Sequence, residues 1–108
     1  MKGGCRGLHE QHFEFDWSEA KAAINFSRHG VSFELASSAF SDPRILTVAD
    51  TEHSELEERW FSVGLASNGT MLSIAYLWAE SEPGLVKIRL ITARRATAQE
   101  IRSYGESQ

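Results

Sequence analysis

Five cationic side chains crowd one short stretch of the chain. Lys87, Arg89, Arg94, Arg95 and Arg102 face Glu100 alone, so residues 86–102 carry a formal +4. Four of the five are arginine. A guanidinium is a planar fork that grips two oxygens of one phosphate, whereas an ammonium is a point charge. From Val86 to Leu90 apolar and cationic residues alternate within a strand expected to run to Ala93. That period puts Lys87 and Arg89 on one side of a strand and Val86, Ile88 and Leu90 on the other. Arg94 and Arg95 fall where the strand gives way to a helix. The pattern fits two readings: a phosphate-binding patch, or a solvated sheet face with ordinary surface arginines.

The rest of the chain is acidic. Its 108 residues hold 11 Lys+Arg and 15 Asp+Glu, a net of −4, and the first sixty residues alone sum to −5. Long-range attraction of a polyanion is therefore weak, and any such binding must come from the compact cationic cluster. Other chemistry is sparse. Cys5 is the only cysteine, so no intrachain disulfide forms and a reducing cytoplasm is expected. The string His9-Glu-Gln-His12 is one residue short of the spacing that stacks two imidazoles on a helical turn, so no metal is expected there. No apolar run approaches the roughly 18 residues of a membrane span. Met1 to His12 lacks the apolar segment of a secretory signal.

Residues 1–12 show no periodicity and read as a flexible lead-in to one domain over 13–108. Asp16 with Glu19 reads as a helix-capping box, with Phe15 stapled onto the first turn. Trp17, Ala20 and Ile24 stripe a helix over 17–29, which Gly30 ends. Ser32 caps a second helix over 33–40, stopped at Asp42-Pro43. The period then changes to that of strands, over 45–48, 59–65, 70–78 and 86–93. Asn68-Gly69 marks a hairpin, Pro83-Gly84 a second turn, and Asp50 to Glu58 an acidic connection with five carboxylates. Thr97 and Glu100 form a capping box that opens a last helix over 98–104. The expected fold is α+β: two N-terminal helices, a four-stranded antiparallel sheet and a C-terminal helix, with the helices on one sheet face. Trp17, Trp60 and Trp78 are expected in the core or an interface rather than as base-stacking platforms.

Several separated motifs resemble the BrnT toxin family. They are Phe13-Glu-Phe-Asp-Trp-Ser-Glu-Ala-Lys21, Asn25-Phe-Ser-Arg-His-Gly-Val-Ser-Phe-Glu34 and Phe40-Ser-Asp-Pro43. Asp50 to His53, Glu58-Arg59, Ile88-Arg-Leu-Ile-Thr-Ala-Arg-Arg-Ala-Thr97 and the helix reaching Tyr104 follow in the same order. The resemblance spans about 13–105. It implies a RelE-like ribonuclease that arrests translation, the toxin half of a type II toxin–antitoxin pair. A BrnA antitoxin with a DNA-binding domain would neutralise it, in a complex with two copies of each chain that represses its own operon. No membrane partner and no cofactor are expected. The implied chemistry needs no metal: a ribose 2′-hydroxyl attacks the adjacent phosphate and the 5′-oxygen leaves.

By that resemblance, Arg89 and Arg94 hold the scissile phosphate, and Arg59, Arg95 and Lys87 assist in binding RNA. Glu58 or His29 takes the 2′ proton, and Tyr104 or His29 protonates the leaving group. Imidazole is the side chain that ordinarily titrates nearest neutral pH. Each of these residues has a plainer alternative. His29 precedes Gly30, where a cationic ring complements a helix C-terminus. Glu58-Arg59 can be a surface ion pair, Tyr104 an anchor for its helix, and the arginines an antitoxin-binding patch. The competing function is a non-catalytic module of the same fold that binds antitoxin or RNA.

Overall fold

Phe13 and Phe15 alternate with Glu14 and Asp16, and the chain builds a strand there, not the approach to a helix. The computed structural model describes residues 12–50 and 58–107. The lead-in carrying Cys5 and His9, and most of the acidic connection, lie outside the described residues. The elements run β1 (His12–Asp16), α1 (Glu19–His29), α2 (Phe33–Ser38), a 3-10 turn (Ala39–Ser41), β2 (Leu46–Ala49), β3 (Arg59–Leu65), β4 (Met71–Glu82), β5 (Leu85–Arg95) and α3 (Ala98–Glu106). The sheet therefore has five strands, ordered β1-β5-β4-β3-β2. It is mixed, because β1 runs parallel to β5 while the other three pairings are antiparallel.

This corrects the four-stranded antiparallel expectation, and with it the first helix boundary. Ser18, not Asp16, is the N-cap, and its hydroxyl accepts from the Lys21 N–H. Asp16 is taken into the sheet opposite Arg89. Gly30 ends α1 in the left-handed conformation at φ 70°, as expected. The Thr97–Glu100 capping box is present in full.

The helices divide between the two sheet faces. On one face, Phe33 and Ala36 of α2, with Ala39, pack with Leu72, Ile74, Tyr76, Val86, Ile88, Leu90 and Ala93. Phe13, Phe15, Phe40, Tyr76 and Trp78 meet in tilted or edge-to-face pairs, with ring centroids 5.0–6.2 Å apart. Burying such rings stabilises the fold by roughly 2 kcal/mol each. All three tryptophans pack against this core. Gly64 of β3 lies under the 3-10 turn, where an added Cβ would meet the Ala39 carbonyl oxygen and Ile45 Cγ1, each at 3.1 Å. The last helix, α3, buries no residue fully and reaches the opposite face near β3.

Candidate functional site

Between Ala75 and Tyr76 the β4–β5 pairing shifts: Tyr76 lies opposite Leu90, but Ala75 lies opposite Thr92. Ile91 is the extra residue of a β-bulge, and a bulge reverses which side each following residue faces. Burial follows the reversal, since Val86, Ile88 and Leu90 are buried before it and Ala93 after it. Regular alternation would have put Arg95 beside Arg89 and turned Arg94 toward the core. The bulge puts Lys87, Arg89, Thr92 and Arg94 on the open face and turns Arg95 to the other side.

The same face carries Arg59. Register places Asp16, Arg89, Leu77 and Arg59 in one row across four strands. Asp50 continues it beyond β2, donating its N–H to the Arg59 carbonyl at 2.8 Å. A second row holds Thr92, Ala75, Phe61 and Val48; a third holds Arg94, Ser73, Val63 and Leu46. Strands about 4.8 Å apart and residues about 3.4 Å apart set Arg59 and Arg89 about 10 Å from each other, with the Arg94 row about 14 Å further along. Phe61, Ala75 and Thr92 floor a shallow depression of about 210 Å³, and Asp50, Arg94 and Glu100 stand around it.

Each of these arginines meets a carboxylate. Arg89 Nη1 donates to Asp16, and both side chains are at least half exposed. Arg59 Nε lies 3.5 Å from Asp50 Oδ2. Arg94 grips Glu100 with two bonds, Nη1 to Oε1 and Nη2 to Oε2, both 2.9 Å. The bond from Arg94 is the main cause that holds the Glu100 carboxyl below the usual carboxylate range, and the same bond raises the Arg94 guanidinium.

Beside the bulge the β5 edge is uncovered, because β1 ends opposite Arg89. The Asn25 amide of α1 fills that edge. Its Nδ2 donates to the Ala93 carbonyl at 2.9 Å and the Val31 carbonyl at 3.0 Å, while its Oδ1 accepts from the Ala93 N–H at 3.0 Å. This seats the end of α1 next to the bulge. His29 and Arg28 there line a second depression with Ile91 and Thr92, so Thr92 borders both depressions.

A protein-family model described as the ribonuclease toxin, BrnT, of type II toxin–antitoxin system matches residues 17–100. The chain belongs to the BrnT family. The crystal structure of the Brucella abortus ribonuclease toxin, BrnT, superposes with a TM-score of 0.55 at 17% identity, covering 80% of this chain and 99% of that one. At that identity the likeness speaks for the fold. No curated protein matches the chain. Membership in a type II toxin–antitoxin family implies an antitoxin partner. No helix among the described residues is long and apolar enough to cross a membrane.

Of the residues the BrnT resemblance implied, Arg59, Arg89, Arg94 and Lys87 share the open face, and His29 lies beyond Thr92. Three others stand apart. Arg95 pairs with Leu72 on the far side of the bulge. Glu58 precedes β3 and is exposed; its carbonyl accepts from the Trp78 N–H, and alternation turns its side chain away from that of Arg59. Tyr104 donates its hydroxyl to Asp42 Oδ2 at 2.6 Å. That bond pushes the Tyr104 phenol up. Burial raises the Asp42 carboxyl, but bonds from Tyr104 and from the Arg44 and Leu65 N–H groups outweigh it and leave Asp42 lowered. Tyr104 thus fastens α3 to the turn before β2.

Sequence reasoning missed Asp16, Asp50 and Glu100 as partners of the arginines, and Asn25 as the support of the bulge. The capping box pointed to Glu100 only as a helix signal. Asn25 carried no local signal, because its partners are 6 and 68 residues away.

Proposed function

We propose that this chain cleaves RNA on the open sheet face, by attack of a ribose 2′-hydroxyl on the adjacent phosphate and without a metal ion. The observation that carries the reading is one open face that presents Arg59, Arg89 and Arg94, the last turned there by the bulge and bordering a concave patch, in a chain whose family is named for ribonuclease toxins. In this reaction charge builds on the phosphate oxygens, and fixed cations stabilise it without exchanging protons. Arg89 and Arg94 take the scissile phosphate, with Arg59 beside Arg89 in the same row. Lys87 extends the cationic track along β5. His29 moves the protons: one leaves the 2′-hydroxyl, and one goes to the departing 5′-oxygen. The products are a 2′,3′-cyclic phosphate and a free 5′-hydroxyl. Tyr104 and Glu58 act in anchoring and surface roles, and Arg95 serves outside the reaction centre.

The partner is a BrnA-like antitoxin, through which operator DNA is reached, in a complex with two copies of each chain. Exposed Ile24 and Phe26 on α1 suit such a protein surface. The reading also places the chain in the cytoplasm, with translation as the process it blocks.

The test is incubation of purified protein with RNA, with and without EDTA, followed by mapping of the product ends. Cyclic phosphate ends that form equally with EDTA are expected, and Arg89→Ala should slow their formation by roughly 10²-fold. EDTA-sensitive cleavage refutes the metal-free route. Intact RNA at stoichiometric protein refutes the ribonuclease and favours the second reading, a non-catalytic RNA- or antitoxin-binding module. That reading draws on the carboxylates already paired with Arg89 and Arg94.

A further inference from the structure

Arg94 has five N–H donors, and its contacts among the described residues account for three. Nη1 donates to Glu100 Oε1 at 2.9 Å and to the Arg95 carbonyl at 3.1 Å, and Nη2 donates to Glu100 Oε2 at 2.9 Å. Glu100 therefore holds the guanidinium end-on. The donors that remain are Nε–H and the second Nη2–H, which lie side by side along one edge of the plane and form a fork of their own. The side chain is 41% exposed and borders the depression floored by Phe61, Ala75 and Thr92.

Glu100 is itself fixed. Its Oε1 accepts from the Thr97 N–H at 2.9 Å, and its own N–H donates to Thr97 Oγ1 at 3.1 Å. Ser73 Oγ approaches Oε2 from the strand below at 3.5 Å. A carboxylate held from both sides is a rigid mount. Asp16, which meets Arg89 through one bond and is more than half exposed, is a loose one.

Resting on the reading above, we propose that Glu100 is a positioning residue that locks Arg94 end-on, so that the Nε/Nη2 edge is presented to an RNA phosphate. The proposal predicts a sign opposite to that of simple charge. Removing a carboxylate beside a cationic site strengthens polyanion binding if only net charge matters. Removing a mount weakens it, because the freed guanidinium loses the orientation that makes its fork bidentate.

The experiment uses a labelled oligonucleotide made wholly of 2′-O-methyl riboses, which binds but cannot react. Its affinity is measured for the full chain, Glu100→Gln, Glu100→Asp, Arg94→Lys and Glu100→Gln in the Arg94→Lys background. Glutamine still completes the capping box, and thermal unfolding of each variant checks the fold. Glu100→Gln should bind roughly tenfold more weakly, as expected for one disrupted charge-assisted fork. Glu100→Asp keeps the charge but draws the mount back by one methylene, and it should weaken binding too. In the Arg94→Lys background, Glu100→Gln should have no further effect.

Equal or tighter binding by Glu100→Gln overturns the proposal. So does weakening that persists undiminished in the Arg94→Lys background, or a full-length chain that does not bind the probe. Because the probe is inert, the result stands whether or not the protein cleaves RNA. Cleavage of ordinary RNA with no Glu100 dependence of binding overturns this inference alone.

Discussion

Asn25→Ala should be the most destabilising single change beside the site. Asn25 is 5% exposed and makes three bonds, two from Nδ2 to the Ala93 and Val31 carbonyls and one to Oδ1 from the Ala93 N–H. Alanine leaves one buried donor and two buried acceptors without those partners. Each unmet buried group costs roughly 1–3 kcal/mol, and water entering the vacated space offsets part of it, which leaves about 2–4 kcal/mol. For a domain of this size each kcal/mol lowers Tm by about 4–8 °C, so the melt should fall by roughly 10–30 °C. Urea unfolding followed by circular dichroism measures the loss. A cost below about 1 kcal/mol would show that the amide does not hold the β5 edge. Asn25→Asp sharpens the test. An ionised aspartate would point an oxygen at two carbonyl oxygens, so its folded-state pKa must lie above the ordinary value of about 3.9. The stability deficit relative to the parent should therefore be small below that value and grow as pH rises through the raised folded value. A deficit that does not change with pH refutes the assigned orientation of the amide.

Acid should weaken the fold through two named groups. Asp42 and Glu100 are both held below their usual range. Their contributions are present above the ordinary carboxylate pKa of about 4 and are lost as pH falls through the lowered folded values. Asp42→Asn and Glu100→Gln should each flatten that acid limb in denaturation curves taken across pH; an unchanged limb counts against the pairings. Gly64→Ala should cost about 1–3 kcal/mol in urea unfolding, because the added methyl meets backbone that cannot swing aside, and a neutral result would mean the 3-10 turn yields freely. Arg94→Ala should slow RNA cleavage by on the order of 10²-fold while Arg95→Ala stays within about twofold, and equal losses would contradict the bulge-dependent separation of the two.

What the sequence revealed depended on how local each signal was. Strand β3 at Arg59–Leu65 matches its expected bounds, and the Gly30 stop and Thr97–Glu100 box stand where residue type put them. Each is encoded within a few neighbouring residues. Strand β1 was missed, because the Asp16–Glu19 spacing imitated a helix start and its two-residue period is only a few residues long. The partner that decides the matter, β5, lies about seventy residues further on. The bulge was hidden for a related reason. Ile91 is apolar whichever way the strand runs, so nothing in Leu90-Ile-Thr-Ala-Arg-Arg95 announces an extra residue. One such residue decides which of two adjacent arginines reaches the open face. The BrnT resemblance put Arg94 at the scissile phosphate with Arg95 assisting, but it gave no physical ground for the difference between them.

The Arg89 row of the open face explains how an acidic protein can keep a cationic site. It reads Asp16, Arg89, Leu77, Arg59, Asp50, so each arginine is flanked by its own carboxylate. Exposed ion pairs of the Asp16–Arg89 kind contribute about 0–1 kcal/mol, so a phosphate exchanges for Asp16 at little cost. The carboxylates meanwhile repel a polyanion that approaches without a phosphate in reach of a fork. Such a face selects for position rather than for charge alone. Arg94 differs because its carboxylate belongs to a capping box, and losing Glu100 would unmake the start of α3 as well as the pair. On the proposed reading, the two arginines assigned to the scissile phosphate would divide the work: Arg89 would change partners when RNA arrives, while Arg94 would keep its partner and offer its free edge.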